Sequence, residues 1–283
     1  MAKSSSALTD DPTTRVPQSM ASQARRGRAS DWAGKWGPFL VPVVALALWA
    51  VSYLLIGDTA MAAPWQVGLY LVSILPAWTP DILATLRTLG IAFVAAASVG
   101  VVTGFAIGLS KYWTKLFTPV VLALYSIPKI TLYPIFLIVF GLSETGRVVF
   151  SAFHGVFPIL ILTMEATRKV PEIYLKVARS LDLNFAQIMR HVLIPHLVPQ
   201  LVVGMRLCFS LCFLGLIVAE LFASYDGLGY RLGHYMTLGA LDAIFALIIV
   251  VIVVAVAGHS LFFLWQRRVR GGQNAERDSG VGI

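Results

Sequence analysis

Three cations and one carboxylate, Arg87, Lys129, Arg206 and Glu220, stand inside long apolar runs of this chain. Charges in such places line a water-filled path, orient a helix against its neighbours, or snorkel to the headgroups. Arg206 and Glu220 fall on nearly one helical face, but 14 residues, about 21 Å of helix, separate them, so they cannot pair. His154 reads as a packing histidine. Cys208 and Cys212 lie four apart in an apolar stretch with no further metal-type cluster, which makes them core residues. No G-x-x-x-x-G-K-[ST] occurs, and Gly271-Gly-Gln273 lies in a polar tail. No catalytic group, metal site or cofactor is therefore expected in this chain.

The elements that must position these side chains are membrane spans. Of 283 residues, 58% are hydrophobic and 13% charged, against about 25% charged in soluble domains. Mean hydropathy is +0.79. Apolar runs near 39–56, 82–109, 116–140, 148–164, 198–221 and 243–264 predict an all-α integral membrane protein of about six transmembrane helices. Residues 1–37 read as a disordered tail, 38–265 as the membrane domain and 266–283 as a C-terminal tail. Arg25-Arg26 imitates a twin-arginine signal, but the run after it exceeds the usual apolar core of about 7–15 residues, and more spans follow. An uncleaved first span is expected.

Residues 57–80 carry no Lys or Arg, and the 64–75 part is expected along the membrane surface. Thr79-Pro80-Asp81 is then the start of the second span. Gly100, Gly104 and Gly108 recur at the spacing that lets membrane helices approach closely. Pro119, Pro128 and Pro134 interrupt 116–140, read as one span kinked near Pro128, with two re-entrant arms as the alternative. Of the 22 Lys and Arg, three lie inside the runs and two, Arg147 and Arg231, on outer loops. All the others fall on the opposite side, which puts both chain ends in the cytoplasm.

One cationic stretch, 171–199, sits between two spans and reads as two short helices with a tight turn, within a loop at 166–198. Pro171 suits a first helical turn, and Ile173, Val177 and Leu181 make one apolar stripe. Leu181-Asp182-Leu183 is the turn. Asn184 with Gln187 predicts a capping box; Phe185, Ile188 and Val192 give the second apolar face, and Pro195 is expected to stop that helix. A DNA-reading helix-turn-helix has a similar outline, but spans on both sides leave no soluble core for one, so no nucleic-acid partner is expected.

This stretch resembles the EAA loop of permease subunits of bacterial ABC importers, whose pattern is Glu-Ala-Ala, three residues, Gly, nine residues, then Ile-x-Leu-Pro. Lys176-Val177-Ala178 stands in the first place, Asp182 in the Gly place and Val192-Leu193-Ile194-Pro195 in the last. The spacing is kept, while Lys176 reverses a charge. Ile127-Pro128-Lys129 with Pro134, Phe140-Gly141, Gly204-Met-Arg206, Ala219-Glu220-Leu221 and Gly227-Leu-Gly229-Tyr230 are similar to the nitrate/sulfonate/taurine branch. The resemblance covers about residues 80–265.

The resemblance implies a permease in the bacterial inner membrane, most simply a homodimer, working with two ATP-hydrolysing subunits and a periplasmic solute-binding protein. ATP would be used by the partner, and the cargo would be a small solute such as an organic or inorganic anion. Lys176 occupies the family's glutamate position in the coupling loop. Val177, Ala178, Asp182 and Leu183 would touch the ATPase, while Asn184, Val192, Ile194 and Pro195 hold the loop's shape. Arg87, Lys129, Arg206 and Glu220 are candidates for the translocation path. An ATP-independent secondary transporter or channel is the alternative, marked by paired carboxylates or inverted repeats that the sequence lacks. A membrane scaffold without transport fits the proline breaks and buried charges less well.

Overall fold

The structure, a computed structural model, describes residues 40–57 and 60–279, with side chains through 267. The expected 1–37 tail lies outside the described residues. The chain divides into two compact units, Met1–Pro64 and Trp65–Ile283. In the first, helix α1 (Leu40–Ile56) ends where Gly57 turns with φ 79°, and the Trp49 indole donates to Ala62 O at 3.1 Å. Its length, under 18 residues, is near the minimum for a span.

The second unit is helical throughout, with no strand among the described residues. Its order is α2 (Pro64–Gly108), α3 (Lys111–Ser126), a 3-10 turn (Lys129–Leu132), α4 (Tyr133–Phe140) and α5 (Glu144–Arg168). Then follow α6 (Glu172–Ser180), α7 (Phe185–Ile188), a π turn (Met189–Leu193), α8 (Ile194–Phe222), α9 (Leu228–Leu238) and α10 (Leu241–Ser279). Helices α2, α5, α7–α8 and α10 are long and apolar enough to cross a membrane, and the bent α3–α4 pair adds a fifth candidate.

Two expectations are corrected at the start of this unit. The 64–75 segment is no separate surface helix, and Thr79-Pro80 starts nothing: α2 runs 45 residues through Pro76 and Pro80. Packing overrides the two prolines. Trp78 is buried, tilted between the rings of Tyr70 and Tyr235, and donates to Tyr235 Oη at 3.2 Å. These contacts anchor the proline-containing turn.

The three glycines of α2 close onto α5. A Cβ on Gly104 would lie 2.5 Å from Leu160 O, one on Gly108 2.7 Å from Thr167 Cβ, and one on Gly100 would strike Ile159. Gly100, Gly104 and Gly108 thus meet successively later residues of α5, so the two helices run parallel. The chain between them must recross from the end of α2 to the start of α5. Although α3 and α4 meet at 82°, a corner rather than a kink, the pair is therefore one broken crossing and not a re-entrant return. Lys129 caps the broken end of α3, its ammonium donating to Tyr125 O at 2.9 Å and lying 4.6 Å from the Tyr125 ring centroid.

Helix α8 packs antiparallel on α5 through a seam of small residues. Gly155 leaves room for Cys208 and Cys212, and Gly215 for the ring of His154. Both cysteines are buried free thiols, and Ser151 Oγ ties the helices by donating to Cys212 O at 2.7 Å. His154 is buried with Nδ1 3.3 Å from Phe150 O, a packing histidine as read from the sequence. Leu89, Ile159, Phe213 and Leu216 complete the core between α2, α5 and α8. The last span, expected at about 243–264, lies within α10, whose helix continues past it to Ser279.

Candidate functional site

The loop between α5 and α8 folds as two helices, and each end of the turn is explained by its residues. Helix α6 closes in a Schellman motif. Leu183 N donates to Ala178 O and Asp182 N to Arg179 O, both at 3.1 Å. Asp182 takes the left-handed position with φ 51°, the one non-glycine with positive φ among the described residues. Aspartate tolerates this conformation better than most residues, which lets the chain dispense with glycine here. The next helix opens with a reciprocal capping box: Gln187 N donates to Asn184 Oδ1 at 2.9 Å and Asn184 N to Gln187 Oε1 at 2.8 Å.

Pro195 does not stop the second helix. It stands in the first turn of α8, immediately after the π turn, and 185–222 is continuous. In the wider turn Ile194 N reaches back five residues to Met189 O. That register shift accommodates a residue without an N–H, which would have broken a regular α ladder. The second helix of the pair is therefore the end of α8 itself.

The pair leaves apolar surface uncovered. Ile173, Val177 and Leu181 are 59%, 51% and 65% exposed, and Phe185 projects beside them. Between α6 and the start of α8 lies an open groove of about 610 Å³, lined among others by Ile173, Val177, Leu183, Val192 and Pro195. Ala178, 2% exposed, is its floor rather than a projecting contact. Lys176 and Ile194 are exposed; Leu183 and Val192 are half-buried. Leu193 and Leu197 pack with Ala166 and Val170 to fasten the pair to the ends of α5 and α8. Lys111, at the start of α3, adds an ion pair to Glu172 at 2.9 Å. Hydrogen bonding and charge from Lys111 hold the Glu172 carboxyl below the usual range, and Glu172 in turn raises the Lys111 ammonium.

At the far end of α8, Glu220 is wholly buried. Thr85 Oγ1 lies 2.9 Å from both its oxygens, and Gly229 N donates to Oε2 at 3.0 Å. Leu228 N donates to Thr85 Oγ1 at 2.9 Å, and Gly227 N to Asp81 Oδ1 at 3.0 Å. Arg231 Nε holds the other Asp81 oxygen at 2.7 Å. Two carboxylates from α2 and α8 thus cap the opening amides of α9, where unpaired N–H groups and the helix dipole favour negative charge. The Gly-Leu-Gly segment is required by this closeness. A Cβ on Gly227 would lie 2.6 Å from both Glu220 oxygens, and one on Gly229 2.6 Å from Glu220 Cβ.

The structure therefore brings the loop residues together at one end of α8 and separates the four intramembrane charges. Glu220 belongs to a closed clasp and presents no surface to a path. Lys129 is nearly buried at the α3 break. Arg87 is exposed and 3.6 Å from Glu144. Arg206 is exposed on α8 beside α10. Asp81, Thr85 and Arg231 were missed as clasp residues. The signal available was Asp81 four residues before Thr85, which puts both on one helical face.

Comparisons with known proteins agree with this geometry. Residues 96–271, more than half the chain, match the family described as "Binding-protein-dependent transport system inner membrane component". The nitrate import permease protein NrtB of Synechococcus elongatus is 28% identical, covering 83% of this chain and 90% of that protein. The putative aliphatic sulfonates transport permease protein SsuC of Bacillus subtilis is 26% identical, with 92% and 96% covered. The taurine transport system permease protein TauC of Escherichia coli is 26% identical, over 61% of this chain and 62% of that protein. In fold, a chain of the inward-facing MetNI methionine ABC transporter matches with a TM-score of 0.61 at 16% identity, covering 70% of this chain and 98% of that one. With its exposed helical pair, its broken span and a match of this extent, the chain belongs to the family of binding-protein-dependent transport system inner membrane components.

Proposed function

We propose that two copies of this permease subunit form a path across the bacterial inner membrane for a small oxyanion, driven by two separate ATP-hydrolysing subunits. A solute-binding protein delivers the cargo from the outer side, and both termini lie in the cytoplasm. The chain binds no cofactor; ATP is bound by the partner. The exposed apolar groove of the α6–α8 pair carries this reading, because such a surface on a cationic loop needs a protein to cover it. The one-sided distribution of Lys and Arg supports the orientation. Relatives named for nitrate, aliphatic sulfonates and taurine support the cargo class.

In this reading Val177, Leu181 and Leu183 dock into the ATPase, with Lys176 at the rim and Asp182 and Ala178 fixing the turn. Asn184, Val192, Ile194 and Pro195 keep the shape of the second helix. The test is co-purification with an ATPase subunit from detergent. The native chain is expected to retain it, and Val177→Glu, which puts a charge on an exposed docking position without touching the core, to lose it. Equal retention by the two would remove the pair as the docking surface.

A further inference from the structure

Arg206 stands on an apolar helix, and no ion pair to it exists among the described residues. It lines an open groove of about 330 Å³ between α8 and α10, with Ala255, Val256, His259, Ser260 and Phe263. The walls are fixed. His259 Nδ1–H donates to Ala255 O at 2.9 Å, and its Nε2 meets Ser210 Oγ at 2.8 Å. The imidazole also lies edge-on to Phe209, centroids 6.0 Å apart. Both ring nitrogens of His259 are engaged, so the free polar groups of the groove are the Arg206 guanidinium and the Ser260 hydroxyl.

Depth decides what they face. Arg206 is eight residues, about 12 Å, inside the cytoplasmic end expected for its span near residue 198. His259 is the same eight residues inside Arg267, which lies over the Phe263 ring at the end of the apolar part of α10. In a hydrocarbon core about 30 Å thick, this is close to the midplane. A guanidinium there is costly against lipid tails, and such groups almost always face the protein interior or a water-filled cavity. A lipid phosphate is too shallow to meet it. Among the described residues, a second copy of this chain offers no free carboxylate at that depth: Asp81 and Glu220 are buried and bonded, while Glu144, Glu165 and Asp242 lie at helix ends.

We propose that the α8–α10 groove is an oxyanion-binding site, with Arg206 as the charged donor and Ser260 as a neutral one, facing the aqueous path at the middle of the membrane. This rests on the path reading above, and it names the residues that meet the cargo. A planar guanidinium presents paired N–H groups to two oxygens of a nitrate, carboxylate or sulfonate, while its fixed positive charge repels a cation. His259 is a positioning residue, holding α10 to α8 so that Ser260 borders the same groove as Arg206.

The test uses the full chain in lipid nanodiscs without any ATPase, so that it stands or falls separately from docking. Melting temperature is followed against methanesulfonate, nitrate and the neutral isostere dimethyl sulfone, in discs of phosphatidylcholine alone and with phosphatidylglycerol. The expected result is stabilisation by the two anions and not by dimethyl sulfone, in both lipids. Arg206→Gln should weaken the anion response about tenfold or more, Ser260→Ala less, and Arg206→Lys should keep part of it. Arg206→Gln sits on an exposed position and leaves the core intact; its own melting temperature without anion reports that. No anion response in the native chain, an equal response in Arg206→Gln, or stabilisation only by phosphatidylglycerol would each overturn the assignment, the last by making Arg206 a lipid contact.

Discussion

Asp182 offers a direct test of how the helical pair is held. Its φ of 51° costs an ordinary L-residue about 1–2 kcal/mol, and aspartate somewhat less. Replacing it with glycine removes that cost but adds conformational freedom to the open loop, leaving a net gain of about 0.5–1 kcal/mol. In hydrogen exchange, such a gain slows local opening about two- to fivefold. The reporter is the Leu183 amide, which donates to Ala178 O at 3.1 Å and is released only when the turn opens. Asp182→Gly should therefore slow its exchange by that factor, after correction for intrinsic rates. Asp182→Pro should do the opposite, because proline fixes φ near −65° and deletes the amide that reaches Arg179 O. A penalty of about 3 kcal/mol is enough to open the turn more than a hundredfold. If Asp182→Gly exchanged faster than the native chain, the aspartate side chain would have to contribute something the backbone geometry does not contain. If Asp182→Pro left the amide protected, the Schellman reading would be refuted outright.

The clasp and the interface give further expectations. Thr85→Val strips Glu220 of its hydroxyl donor and Leu228 N of its acceptor, and should lower stability by about 2–3 kcal/mol in thermal melts of detergent-solubilised protein, with Thr85→Ser retaining most of it. Gly227→Ala combines a φ of 99° with a Cβ on the Glu220 carboxylate, so it should cost far more melting temperature than Gly239→Ala, whose φ of 66° opens onto empty space. The Lys111–Glu172 link should follow pH with two limbs. The depressed Glu172 value contributes stability above the ordinary carboxylate range that is lost as pH falls through the folded value. The raised Lys111 value contributes stability below the ordinary lysine range that is lost as pH rises through its folded value. A spin-label distance between α3 and α6 should thus be shortest between these limits, lengthen in high salt because both groups are fully exposed, and lose its pH dependence in Glu172→Gln.

What could be read from the sequence follows the physics that produces each feature. Helices in lipid must satisfy their own backbones, so apolar runs disclose spans directly. The capping box, the turn at Asp182 and the glycine seam of α2 are local patterns, and each appears where its residues placed it. The clasp was out of reach because its partners are distant in sequence: Thr85 and Glu220 are 135 residues apart, Asp81 and Arg231 150. No periodicity reports such pairs. Prolines misled twice for one reason. A missing N–H weakens a helix locally, but the Trp78 packing in α2 and the wider π turn before Pro195 each absorb the loss.

The continuity past Pro195 changes what the pair is mechanically. A second helix stopped at that proline would transmit displacement through a flexible joint, and each degree of freedom there would dissipate it. Instead 185–222 is one helix, opening just after the Asp182 turn and carrying Glu220 near its other end. At 1.5 Å per residue, the step from Pro195 to Glu220 is about 37 Å with no intervening loop. The π turn at Met189–Leu193 interrupts the regular ladder, and its Leu193 is itself part of the anchoring cluster with Leu197, Ala166 and Val170. Leu193 thus ties the turn to the end of α5, and beyond it α8 runs on through Pro199 without a break. Arg206 stands on that helix, between the anchor and the clasp. If the proposed docking tilts α8, Arg206 shifts relative to the membrane with it, and the Ser210–His259 contact links α10 to that motion.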